Sequence, residues 1–163
     1  MSILPLFPIR KYGDSILRAK CQQIEKITSG TEITMQRMAR TMYQAGGVGL
    51  AAPQVGIARQ FLVVDAGDGL IKMVNPQVIW KEGRSVLEEG CLSLPGILIR
   101  VPRARRVRIK ALDEKGEEIE IEEDGLSAHV LQHEIDHLGG ILILDYASPI
   151  ERSYAENKLR GLS

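Results

Sequence analysis

Asp124-Gly125-Leu126-Ser127-Ala128-His129-Val130-Leu131-Gln132-His133-Glu134-Ile135-Asp136-His137-Leu138 sets the frame for the whole chain. Leu126, Val130, His133 and His137 recur at three and four, so they share one helical face, and Gly139-Gly140 stops the helix. Two imidazoles therefore lie on the apolar face, where a buried site has to be. The spacing predicts a helix from 124 to 138 with that face turned into the fold.

Immediately before it, residues 106–111 and 117–122 alternate strictly. Val107, Ile109 and Ala111 face one way and Arg106, Arg108 and Lys110 the other; Ile119 and Ile121 oppose Glu118, Glu120 and Glu122. With Asp113-Glu114-Lys115-Gly116 as the turn, this is a hairpin whose solvent face sets a basic strand beside an acidic one. A solvated hairpin face explains both charge runs without a docking role. Further upstream, Phe61-Leu62-Val63-Val64-Asp65 reads as a short buried strand. After a turn at 65–69 a second strand runs from Leu70 to Asn75, ending at Pro76. Val78-Ile79-Trp80 and Ile97-Leu98-Ile99 are further strands.

Residues 31–44 are helical, with Met35, Met38, Ala39 and Met42 as a core stripe, and Gly46-Gly47-Val48-Gly49 opens a loop. Asp14 or Ser15 caps a short helix at Ile16-Leu17-Arg18. Residues 141–144 are expected as one more strand, and the segment from Pro149 onward as a short polar helix. Strands and two main helices without βαβ alternation predict an α+β fold, and 163 residues suit one domain, 1–163.

Lys+Arg and Asp+Glu both number 21, so no field of one sign exists to gather nucleic acid or an anionic membrane. No apolar run approaches the ~20 residues of a membrane span. The opening Met1-Ser2-Ile3-Leu4-Pro5-Leu6-Phe7-Pro8 lacks the basic start and cleavage site of a secretory signal. Two distant cysteines, Cys21 and Cys91, make no disulfide framework and point to a reducing, cytoplasmic setting.

His133-Glu134-Ile135-Asp136-His137 has the form H-E-x-x-H, which on a helix brings both imidazoles to one metal ion. Such an ion lowers the pKa of a water it holds towards ~7, and Glu134, beside the first histidine, is placed to take that proton without ligating. A third ligand is needed. One metalloprotease class adds G-x-x-H after the motif; this chain has Gly140 but Ile143 where that histidine belongs. His129 lies one turn before His133, but successive four-residue steps drift by about 40° round a helix, so it lines the site instead. Cys91, in Glu88-Glu89-Gly90-Cys91-Leu92-Ser93-Leu94-Pro95, is the better candidate, while Cys21 reads as a small core residue.

Three motifs now stand in order: Gly47-Val48-Gly49-Leu50-Ala51-Ala52-Pro53-Gln54, then Glu89-Gly90-Cys91-Leu92-Ser93-Leu94-Pro95, then Gln132 to Leu138. Together they resemble the peptide deformylase family over nearly the whole chain. The resemblance implies mainly antiparallel sheets, in a mixed arrangement, wrapped round a central helix that carries the H-E-x-x-H motif. It implies Cys91, His133 and His137 as ligands of one ion, Fe(II) in the cell, with zinc, nickel or cobalt able to replace it in prepared protein. It implies Gln54 and the backbone N–H of Leu92 as oxyanion donors. At Leu98 a basic residue that some relatives place near the substrate is missing.

The reaction so implied is removal of the N-formyl group from the terminal methionine of new polypeptides, with Glu134 carrying the proton. Val48, Gly49 and Gly90 would flank an extended peptide by strand addition, Gly49 leaving room for another backbone. Leu126, His129, Val130, Val48 and Leu87 would line the methionine pocket. Partners are N-formylmethionyl nascent peptides, with the ribosome as a candidate and neither nucleic acid nor membrane expected. The rivals are a zinc peptidase of another class, which leaves the Gly-Cys segment unexplained, and a non-catalytic metal-binding module, which leaves Glu134 without a purpose.

Overall fold

The computed structural model describes residues 3–161. Thr28 opens helix α1 (Ser29–Gln44), its hydroxyl accepting from the Thr31 N–H while the Thr31 side chain accepts from the Thr28 N–H. The predicted stripe of Met35, Met38 and Met42 is fully buried. After the glycine loop come β1 (Gly49–Ala51), a 3-10 turn (Ala52–Val55) and β2 (Phe61–Val64). Next are β3 (Ile71–Glu82), β4 (Ser85–Cys91), β5 (Leu94–Arg103), β6 (Arg106–Leu112) and β7 (Glu118–Asp124). Helix α2 (Gly125–Leu138), a 3-10 turn (Ile143–Tyr146) and α3 (Pro149–Arg160) complete the order.

A five-stranded sheet runs β1-β2-β3-β6-β7 and a second sheet pairs β4 with β5; every ladder is antiparallel. Two helices sandwich the first sheet, which explains why all four residues of β2 are buried. Leu62 and Val64 pack with Ala128, Val130 and Leu131 of α2. Phe61 and Val63 pack with the α1 methionines. Against β5, the inward Leu94, Ile97, Ile99 and Val101 meet Ala155 and Leu159 of α3 and Leu142 to Leu144. The α+β architecture with sheets round the motif helix is therefore as expected.

The charged hairpin also forms as its alternation predicts. Arg108 stands opposite Glu122 and Lys110 opposite Glu120. Arg106 pairs with Glu122 at 3.0 Å on the solvent side.

Three expectations need correction. Pro76 does not end a strand: β3 continues through it to Glu82, absorbing the expected strand at 78–80. A register shift between Val74 and Gln77 accommodates the missing N–H. Asn75 sits there at φ 51, its side chain bonded to both the N–H and C=O of Ile24 at 2.8 Å. In place of the expected strand at 141–144, Leu142 caps a 3-10 turn (Ile143–Tyr146), and the Asp145 carboxylate accepts from the Leu142 N–H. The segment 88–95, whose turn residues on either side of the Cys91 thiol suggest a loop, is instead the end of strand β4, a two-residue tip and the start of β5.

Gly140 shows why α2 must end on glycine. It lies at φ +74, and a Cβ there would come within 2.5 Å of the Arg18 carbonyl oxygen. Gly140→Ala is expected to cost at least ~2 kcal/mol in denaturant unfolding. A loss under about 0.5 kcal/mol would show that this approach is not constrained.

Candidate active site

Helix α2 delivers its histidines one turn apart, and β4 delivers Cys91 from the opposite wall. The His133 and His137 Nε2 atoms are 3.2 Å apart, and Cys91 Sγ is 3.4 Å from His137 Nε2. One ligand atom from each of the three residues falls within 4.8 Å of the others. Two imidazoles pressed together cannot both be cations. Burial, with His133 and Arg103 adding to it, holds His137 well below the usual histidine range. Burial also pulls His133 down, but Glu134, Cys91 and Glu89 outweigh it and hold that ring well above the range. His137 Nδ1 is buried without a partner. Soft sulfur and two ring nitrogens converging on one point fit a borderline divalent ion, and a set of three such donors would leave a fourth position for water.

The orientation of these rings depends on Glu89. Its Oε1 accepts from His133 Nδ1 and its Oε2 from His129 Nδ1, each at 2.9 Å. Arg103 grips the same carboxylate through Nε at 2.7 Å and Nη2 at 2.9 Å. Arg103 Nη1 reaches Asp136 Oδ2 at 2.8 Å, which also accepts from the Tyr146 hydroxyl at 2.6 Å. With Nδ1–H committed to Glu89, His133 turns its Nε2 towards the thiol and His137, and that nitrogen would face an ion once its proton has left. His129 is buried beside the site and turned to Glu89.

Glu134 is buried, and its Oε1 has no hydrogen-bond partner, with His137 Nε2 at 4.0 Å. Burial pushes its carboxyl up to about 7, against the opposing pull of His133 and Arg103. Gln54 lies opposite in the turn after β1. Its Oε1 accepts from the Ala51 N–H at 2.9 Å, so its amide N–H₂ is turned to Ser93 Oγ at 3.1 Å and Cys91 Sγ at 3.5 Å. A cavity of about 600 Å³ brings together Val48, Gly49, Gln54, Leu87, Gly90, Cys91, Leu92, Leu126, His129, Val130, His133 and Glu134. Gly49 differs from expectation in one respect. A Cβ there would meet Glu134 Oε2 at 2.7 Å, so the missing side chain makes room for the carboxylate inside the protein.

Sequence reasoning missed Glu89, Arg103, Asp136, Tyr146 and Ser93. One signal was available for Arg103: it shares the inward parity of Ile97, Ile99 and Val101, an arginine on an apolar strand face. The turn-like Glu-Gly pair hid the strand that would have pointed Glu89 inward.

A thiol, two imidazoles and a buried carboxylate converging in an α+β frame define a metal-dependent hydrolase. The family model described as polypeptide deformylase matches residues 6–153. A peptide deformylase of Halothermothrix orenii is 49% identical over 144 residues, covering 87% of this chain and 94% of that protein. Among solved structures, a peptide deformylase from Legionella pneumophila is similar at TM-score 0.93 and 40% identity, covering 97% of this chain and 95% of that one. One from Ehrlichia chaffeensis, in complex with actinonin, reaches TM-score 0.95 at 31% identity, covering 98% and 99%. The chain belongs to the peptide deformylase family.

The Glu89 cluster has a pH signature. Burial pushes this carboxyl up, yet the hydrogen bonds from His133 and Arg103 and the Arg103 charge win, lowering it from 4.5 to about 2. A depressed folded-state pKa gives stability that is present above the unfolded value and lost as pH falls from there towards about 2. Between about pH 6 and 3 the wild type should lose ~2 kcal/mol more than Glu89→Gln from this group. Guanidinium midpoints at each pH measure it, and equal slopes for the two proteins would contradict the assignment.

Proposed function

We propose that residues 1–163 act as one catalytic domain that hydrolyses the N-formyl group from the terminal methionine of new polypeptides, releasing formate and a free amino terminus. The observation that carries this reading is the convergence on one cavity of Cys91, His133 and Glu134 between two strand edges, with His137 buried directly against Cys91 and His133. Strand β1 pairs only with β2 and β4 only with β5, so each turns an unpaired edge outward among the described strands. Val48 and Gly49 lie on one side of the cavity and Gly90 on the other. An extended peptide adds to these edges through its main chain. Its methionine enters the pocket of Leu126, His129 and Val130, with Val48 and Leu87 opposite.

Cys91, His133 and His137 hold one ion, Fe(II) in the cell, with zinc, nickel or cobalt able to take its place. When bound, the ion supplies Lewis acidity and a nucleophile from water at neutral pH. Glu134 takes the proton of the attacking water and returns it to the departing amine, a task that a buried carboxyl near 7 performs in both directions. The Gln54 side-chain N–H and the Leu92 N–H meet the charge that grows on the formyl oxygen; one such donor is typically worth ~10²–10³ in rate.

Nascent chains bearing N-formylmethionine are the substrates, and the ribosome that displays them is a candidate partner. The cytoplasm is the compartment that supplies both. Among the described residues no helix is long and apolar enough to cross a membrane.

Formate release from formyl-Met-Ala-Ser tests the reading, with the unformylated peptide left intact. Cleavage of a peptide bond in the unformylated substrate would support a peptidase instead. Cys91→Ser should lose most bound metal while Cys21→Ser, buried in the core, keeps it; metal analysis of both proteins decides. Glu134→Ala should retain metal and lose ~10²–10⁴ in turnover, and Glu134→Asp should stay low because its carboxylate is drawn back by one methylene. Metal loss from Glu134→Ala would make Glu134 a ligand, and near-normal formate release would remove its proton-carrying role.

A further inference from the structure

Hairpin tips are ordinarily the mobile end of a strand pair. Leu92 and Ser93 form such a tip, between the paired Cys91 and Leu94. Yet the tip is held from outside the hairpin at several points. The Lys11 ammonium donates to the Leu92 carbonyl at 3.1 Å. The Tyr12 N–H donates to the Ser93 carbonyl at 2.8 Å. Gln54 Nε2 donates to Ser93 Oγ at 3.1 Å. The Leu92 side chain lies over Gly47, where a Cβ would come within 2.7 Å of its Cδ1.

One residue earlier, the Arg10 N–H donates to the Gln54 carbonyl at 2.7 Å. Three successive residues thus grip the backbone at the two groups to which the oxyanion role was given, Arg10 at Gln54 on one wall, Lys11 at Leu92 on the other and Tyr12 at its neighbour Ser93. Two of these grips are main-chain bonds. The third belongs to a side chain, and Lys11 also lines the active-site cavity.

We infer that residues 10–12 form a strap that sets the two oxyanion donors relative to each other, with Lys11 as a positioning residue for the Leu92 peptide. This rests on the reading of Gln54 and Leu92 as oxyanion donors. Lys11 acts on the Leu92 carbonyl, and through the torsions of that residue it fixes the direction of the Leu92 N–H. Donors must already point at the place where charge develops, because reorganising them during reaction forfeits their effect. A loosened tip therefore costs turnover more than substrate binding.

The test compares Lys11→Met, Lys11→Arg and Gln54→Leu in the metal-loaded enzyme, with formyl-Met-Ala-Ser and formyl-Met-Ala-Glu as substrates. Lys11→Met should lower kcat by ~3–10-fold on both, the size of one ordinary hydrogen bond, with KM changed less than about twofold and metal content unchanged. Lys11→Arg should recover most of the loss, because a guanidinium still donates to the carbonyl. An unchanged kcat in Lys11→Met, alongside a loss of ~10² in Gln54→Leu, would overturn the strap while leaving the oxyanion reading intact. Full turnover in Gln54→Leu would overturn both. A KM rise confined to formyl-Met-Ala-Glu would mean that Lys11 touches the peptide, which also removes the positioning role.

Discussion

The site depends on one buried carboxylate. Glu89 is reached by His129, His133 and the two-pronged guanidinium of Arg103, so both its oxygens are saturated. A charge so placed is costly unless it is paired and fully hydrogen-bonded. Arginine meets that demand because its donors form a planar fork that matches a carboxylate; an ammonium is a point charge and does not. Glu89 comes from β4, Arg103 from β5, and the two histidines from α2. The same three groups that satisfy the charge therefore tie the small sheet to the motif helix and fix the orientation of the His133 ring.

That tie explains why the cleft sits at a seam. The five-stranded sheet has its own cores on either face, shared with α2 and α1, and the small sheet has a third with α3. The cavity opens where these bodies meet, with β1 as one lip and β4 as the other. A site between two separately packed walls can receive an extended chain without opening either core.

What was legible in the chain was local. Residues one helical turn apart must share a face, so His133 and His137 were placed before any tertiary contact was known. The hairpin of β6 and β7 was equally plain because strict alternation leaves one register. What was hidden depended on partners distant in sequence. Asn75 adopts its left-handed conformation because it docks on Ile24, which lets β3 run through Pro76. Arg103 needed the knowledge that β4 pairs beside it. Leu142 to Leu144 enter a turn because the Asp145 carboxylate takes the Leu142 N–H, and an apolar run of four does not distinguish that from a strand. The charged neighbours Glu88 and Glu89 look alike in sequence, yet one is exposed and the other is the hub of the site.

The spacing of the groups in the cleft also bears on how the protein comes into being. The proposed strap begins at Arg10, the lips are set by residues near 49 and 90, and the last of the proposed ligands is His137. A chain leaving its own ribosome presents these parts in order, and α1 with the first strands can collapse early. The helix that closes the cleft emerges after every strand of both sheets. No incomplete copy that stops before His137 can hold all three of the proposed donors, so the cleft is completed only once the motif helix has formed.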